Sequence, residues 1–235
     1  MRVSRKIPRE MMPQDGSPGP TRRIETRHPL RVIRLYPSTL MGCLVPCESA
    51  GEMAHWMTID ADGSVATARA QPEMVYWNDD GIRRRHVPDA EVRFDDGRTV
   101  VREVKPRTDL SARALAQLDH RTAILQVQLQ SRGTGYEVVD STCSVFLRRV
   151  QAAKDVLTAR RHAISPGLAF LVREAIALRG AATFGCLLQL VPGVSRVDLM
   201  ALVLRRKLVV ALDQGPISAW TPVRIPHSIP EEFKR

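Results

Sequence analysis

The chain has few cysteines, and those it has are poorly placed for cross-linking or for zinc. Cys43, Cys47, Cys143 and Cys186 do not form two closely spaced pairs, and no histidine stands near Cys43 and Cys47 at zinc-finger spacing. Reduced, partly buried thiols in a cytosolic protein are the expectation. No stretch approaches the ~20 consecutive apolar residues of a membrane span, which argues against a membrane partner. The opening "MRVSRKIPRE" is basic but is not followed by an apolar core, so it does not read as a secretory signal. There is no internal repeat. The expected location is the cytoplasm, at the nucleoid.

Positive charge is abundant. The 235 residues carry 35 Lys plus Arg against 25 Asp plus Glu, a formal net charge of +10. A surplus of that size favours a polyanionic partner, because each neutralised phosphate releases counterions. Charge alone does not separate DNA from RNA or an acidic membrane.

Residues 1–34 are rich in Arg, Pro and Gly, and "DGSPGPTRR" sustains neither helix nor strand. They are expected to form a flexible basic arm, either a plain tail or one that touches DNA. From Pro46 to Asp60 the apolar Met53, Trp56 and Met57 recur at helical spacing. Strands are expected at "VATARAQ", "EMVYW", "IRRRHVPDAEVRF" and "RTVVREVK", with turns at "NDDG" and "FDDGR". A long helix follows from Leu110 to about Gln130, then a strand at "YEVVD" and another helix at "VFLRRVQAAKDVLTARR". This order implies a mixed α/β core over residues 35–150. Residues 151–235 read as a helical domain ending in a strand pair, with a capped helix from Ser195 and a hairpin turn at "DQGP". That is the outline of a winged helix-turn-helix, and equally of a helical packing module.

The segment "HVPDAEVRFDDGRTVVREVKP" carries the chemistry. If Asp95-Asp96-Gly97 is a three-residue hairpin loop, Phe94 faces Arg98 and Asp89 falls opposite Glu103. Glu103 and Lys105 are two apart and share that face, while Val92, Phe94, Val100 and Val104 take the other. A slip of one residue destroys this arrangement. Two carboxylates held together repel unless a cation lies between them. Mg²⁺, for which Mn²⁺ can substitute, suits Asp89, Glu103 and the backbone carbonyl of Val104 as oxygen donors. Such an ion polarises a phosphate and acidifies a water, and Lys105 orients that water or neutralises developing charge.

Pro88-Asp89, a hairpin, and Glu103-Val104-Lys105 resemble the PD-(D/E)xK nuclease core. With Pro37-Ser38, Gly42, Glu48-Ser49 and Gln71-Pro72 ahead of them, the resemblance narrows to the TnsA-type transposon-end endonucleases. It covers about Arg31 to Asp140 and implies a restriction-endonuclease-like core, a mixed sheet flanked by helices, followed by a winged-helix region. It implies double-stranded DNA as substrate, a TnsB-like DDE transposase as partner, and an AAA+ ATPase as regulator. It also places the family's helix-borne catalytic and metal-binding glutamate on Glu52, with Glu48, one turn earlier, competing. Gln71 is either a hydrogen-bonding group of the site or a strand end. His86 touches a phosphate, transfers a proton, or simply packs. Arg83, Arg84 and Arg85 form either a phosphate clamp or a solvated run. Two further readings stand beside this one: a stand-alone restriction or repair nuclease of the same chemistry, and a DNA-binding adaptor with a silent site.

Overall fold

The computed structural model describes residues 33–179 and 182–227. Nearly all of the expected basic arm, residues 1–32, lies outside the described residues. Arg34, its last residue, already belongs to a strand: β1 (Arg34–Ser38) pairs antiparallel with β2 (Cys43–Cys47). Pro37 and Pro46 hide this ribbon in the sequence, since each removes a donor; a two-stranded ribbon tolerates that loss at its outer edges. Strand β2 also takes the first turn of the expected helix. Helix α1 (Ala50–Ala61) starts only after Ser49, whose side chain caps it by accepting the Glu52 N–H.

A central sheet follows. Strands β3 (Val65–Ala70), β6 (Ala90–Phe94), β7 (Thr99–Lys105) and β8 (Thr134–Asp140) lie in the order β3-β6-β7-β8. The first three are antiparallel neighbours, and β8 joins β7 in parallel after helix α2 (Ala112–Gln130). Strands β4 (Val75–Asp79) and β5 (Ile82–His86) form a separate ribbon closed by Asp80-Gly81. Both turn residues have positive φ (49° and 80°), as a type I′ turn requires. The run "IRRRHVPDAEVRF", read as one strand, is thus two strands in two sheets. Pro88 has no N–H to give to a ladder, and the chain changes partner there.

The two faces of the central sheet are covered differently. On one, α1 packs through Trp56 and Ile59 onto Val65, Val92, Phe94 and Val100, with Tyr36 and Val45 of the first ribbon closing the cluster. On the other, Leu125 and Leu129 of α2 meet Val101 and Tyr136, with Val75 and Trp77 of the second ribbon alongside. Each large side chain buried this way stabilises the fold by roughly 1.5–3 kcal/mol. Asp60, 1% exposed near the end of α1, binds the first ribbon to the helix. It accepts from Ser38 Oγ (2.6 Å), the Thr39 N–H (2.7 Å) and Tyr36 Oη (3.0 Å).

The largest core belongs to the C-terminal half. It gathers α3 (Ser144–Leu157), α4 (Pro166–Arg179), α5 (Phe184–Leu190) and α6 (Arg196–Leu204). A small sheet of β9 (Ala182–Thr183), β10 (Val209–Val210) and β11 (Pro222–Arg224) completes it, in the order β10-β11-β9. Helix α3 runs through the boundary expected between residues 150 and 151, and its Ala152, Ala153 and Val156 share one cluster with Ala61 of α1. Helix α6 is capped at Ser195 as expected, there by a capping box with Asp198, and every residue from Asp198 to Leu204 is buried. The strand pair is shorter than expected and its connection longer. β10 and β11 are joined by residues 211–221, where Thr221 and Ser218 hydrogen-bond each other into a turn instead of extending β11. All four cysteines are free, and no helix among the described residues is long and apolar enough to cross a membrane.

Candidate active site

The site is built on the β6–β7 hairpin. Asp95-Asp96-Gly97 closes it: the Phe94 N–H donates to the Arg98 carbonyl at 2.9 Å, and Gly97 takes φ +88°. Ala90 then pairs with Arg102 and Val92 with Val100, the register expected from the loop length. Asp89 sits one residue before β6, and its N–H donates to the Arg102 carbonyl at 3.0 Å. Its carboxylate reaches across the strand edge, where Oδ2 accepts the Val104 N–H at 2.7 Å. In an extended strand the N–H and C=O of one residue point to the same edge, so the Val104 carbonyl lies on Asp89's side of β7. Val104's side chain points the other way, towards Gly51 of α1.

Glu103 points towards α2 and is 1% exposed. Its carboxylate is surrounded by donors. Oε1 meets Lys105 Nζ at 2.8 Å and accepts Arg121 Nη2 at 2.7 Å. Oε2 accepts Tyr136 Oη at 2.7 Å and lies 2.7 Å from His86 Nε2, at an angle short of a directed hydrogen bond. Burial by itself raises the pKa of Glu103, but the contacts of His86 and Lys105 outweigh it and hold the carboxyl well below the usual range. Tyr136 responds in the opposite sense: burial and the adjacent Glu103 charge push its hydroxyl well up.

Asp89 is a contrasting case. Burial raises its pKa to about 6; the Val104 N–H and Lys105 act to lower it, while the charges of Glu52 and Glu103 raise it further. Asp89, Glu52, Glu103 and Lys105 therefore share one electrostatic neighbourhood, in which Asp89 lacks a full countercharge. Glu52 is also the third helical residue of α1 and fastens the chain entering that helix. Its Oε2 accepts the Glu48 N–H at 2.7 Å, and its Oε1 accepts Ser49 Oγ at 3.0 Å. Glu48 lies outside the helix, preceding the cap. Cys47 forms part of the wall, with its thiol pushed up to about 12 by burial and by the charges of Glu52 and Asp89.

Gln71 is buried at the same end of the sheet. Its N–H donates to the Asp89 carbonyl at 3.0 Å, and its side-chain Oε1 is buried without a partner. It has φ +44°, a left-handed conformation uncommon outside glycine, as found where a backbone is held for function. The arginine run divides by strand alternation. Arg84 pairs across the ribbon with Trp77 and lies on the face His86 shares; Arg83 and Arg85 occupy the opposite, exposed face. Arg83 stacks over Tyr76 at 4.5 Å, and Arg84 lies 3.6 Å from Asp79.

Arg121 and Tyr136 were not singled out from the sequence. A signal did exist for Arg121: it falls on the helical stripe of Leu118, Leu125 and Leu129, the buried residues of α2, where a charge is unusual. Tyr136 had none, because its place beside Glu103 follows only once β8 is known to pair with β7.

Among the described residues no group of three or more His, Cys, Asp or Glu side chains is arranged to hold a metal ion. The donors that are present, Asp89, Glu103 and the Val104 carbonyl, suit a hard cation that keeps several of its own waters and uses one or two carboxylates. They do not suit one that needs an all-protein cage. The undercompensated charge of Asp89 is the observation that fits a cation here. No model of a known protein family matches the chain, and no curated protein is significantly similar to it.

Proposed function

We propose that the chain is a Mg²⁺-dependent endodeoxyribonuclease of the PD-(D/E)xK type, in which Asp89, Glu103 and the Val104 carbonyl hold the ion and Lys105 serves the reacting phosphate. The observation that carries this reading is the hairpin register. It places one undercompensated aspartate against the backbone of β7, beside a glutamate and lysine in direct contact. A divalent cation bound there supplies Lewis-acid polarisation of the scissile phosphate and acidifies a water; Mn²⁺ serves in place of Mg²⁺. Lys105 neutralises charge developing on the phosphate, or orients the attacking water. Tyr136 and His86 keep Glu103 in place. Glu52 closes the site from α1 as a further ligand, direct or through water. Gln71, whose buried Oε1 has no partner, is the further hydrogen-bonding group of the site in this reading.

Double-stranded DNA is the proposed substrate. In this reading Arg83 and Arg85, on the open face of the β4–β5 ribbon, contact its backbone, whereas Arg84 supports the ribbon. The order α4-β9-α5-α6-β10-β11 supports a winged-helix reading of the C-terminal half. Its α6, however, is buried from Asp198 to Leu204 and has no side chains left there to read a groove. Sequence choice then comes from a partner, which agrees with cutting one strand at transposon ends beside a TnsB-like DDE transposase under an AAA+ ATPase.

The test is incubation of end-bearing duplex with purified protein, Mg²⁺ and the transposase, followed by mapping of the ends. Cleavage leaving 3′-hydroxyl and 5′-phosphate, reduced at least 100-fold in Lys105→Ala, supports the proposal. DNA left intact by wild type and variant alike defeats it. One observation favours a second reading, a DNA-binding adaptor with a silent site: all four donors around Glu103 are already in place. That reading expects duplex binding indifferent to Asp89→Ala and to divalent ions.

A further inference from the structure

Arg121 is the residue around Glu103 that a helix supplies, whereas His86, Lys105 and Tyr136 come from strands. It reaches in from the middle of α2, on the helix's apolar stripe, and its side chain is 26% exposed. Placing a guanidinium there costs desolvation, and a leucine would continue the stripe at lower cost. The geometry of the fork is also incomplete. Nη2 donates to Glu103 Oε1 at 2.7 Å, on the same oxygen that Lys105 holds at 2.8 Å, while Nε is buried with no partner. A planar fork with one arm on a carboxylate and another empty matches a second oxyanion beside it. Glu103 does not depend on Arg121 for its position, since Tyr136 and His86 hold the other oxygen.

We infer that Arg121 is an exchange residue: it occupies Glu103 while no divalent ion is bound, and turns its guanidinium to a DNA phosphate when Glu103 engages one. This rests on the reading of Asp89 and Glu103 as cation ligands. Two positive side chains on one oxygen already supply the charge a divalent ion would bring, so ion and Arg121 compete for Oε1. Release of Arg121 frees its fork, beside Glu103, for a non-bridging phosphate oxygen. The saturation of Glu103 is then the resting form of the site, and the substrate class it awaits is a phosphodiester with its cation.

The experiment measures Mn²⁺ binding by electron paramagnetic resonance without DNA, for wild type, Arg121→Ala, Arg121→Lys and Asp89→Ala. Binding of a short duplex, with Ca²⁺ present to prevent turnover, is then measured for the same proteins, each checked for a native thermal transition. Exchange predicts that Arg121→Ala tightens Mn²⁺ about tenfold, the effect of removing a competing charge worth roughly 1.4 kcal/mol. The same variant loses duplex affinity in Ca²⁺, and Arg121→Lys falls between on both readouts. Unchanged or weaker Mn²⁺ binding in Arg121→Ala, with Asp89→Ala still abolishing it, overturns the exchange and leaves the cation site standing. Tighter Mn²⁺ with unaltered duplex binding overturns the phosphate half. Absence of Mn²⁺ binding in wild type and Arg121→Ala alike overturns the exchange and the cation site together.

Discussion

Asp89 is half-buried and Glu103 fully buried, and their surroundings drive the two carboxyl groups apart in acidity. In the folded chain Asp89 keeps its proton up to about pH 6, whereas an unfolded aspartate loses it near 3.8. Between those values the folded state binds the extra proton, so the contribution of Asp89 to stability falls as pH rises through that window. Asp89→Asn removes this cost. In metal-free buffer its melting temperature is expected to exceed that of wild type by a few degrees at pH 7.5, with the gap closing by pH 4. Mg²⁺ should raise the melting temperature of wild type and not of the variant. Glu103 has the opposite sign. Its lowered pKa contributes stability that is present at neutral pH and lost as pH falls below the ordinary carboxylate range. Glu103→Ala is therefore expected to leave Lys105 and Arg121 crowded together without their acceptor. A cost of about 3–5 kcal/mol is expected in denaturant unfolding, as for a buried pair broken from one side.

At the scale of elements, Glu52 is the residue whose two roles need separating, because the start of α1 and a metal ion ask for the same carboxylate. Ser49→Ala removes the cap's acceptor and should cost about 1 kcal/mol in urea unfolding without altering Mn²⁺ affinity. Glu52→Gln keeps much of the side chain's shape but loses its charge. If Glu52 is a ligand it weakens Mn²⁺ severalfold; if it only fastens the start of α1, the two variants differ in stability alone. The hairpin is where the sequence was most legible. A three-residue loop with glycine at its positive-φ position determines which residues face one another, and Pro88-Asp89 with Glu103-x-Lys105 then follows by counting. Other elements were hidden for identifiable reasons. Prolines at 37 and 46 masked the first ribbon. Pro88 split a run that looked continuous, moving Arg83, Arg84 and Arg85 onto a ribbon of their own. Arg121 and Tyr136 depend on the docking of α2 and β8, which no local pattern encodes.

In the whole molecule, helix α3 is the member that both halves share. Ala152, Ala153 and Val156 lie beyond residue 150, yet they pack in one cluster with Ala61 of α1, the helix that carries Glu52. A fragment ending at residue 150 should accordingly fail to give a cooperative thermal transition, while residues 33–227 give a single one. Leu199→Ala, at a side chain 0% exposed in α6, is expected to cost about 2–5 kcal/mol and to lower that single transition as a whole.

The loop of the β6–β7 hairpin is not free at its tip. Asp95 accepts Arg224 Nη1 at 2.8 Å and the His227 N–H at 2.8 Å, which fastens the turn to the end of the C-terminal sheet. The far end of the same hairpin carries Asp89, Glu103 and Lys105. The two strands thus act as a stiff lever, gripped at one end by the C-terminal half and bearing the reactive groups at the other. A protein that grasps the C-terminal half has a mechanical route to those groups without approaching them.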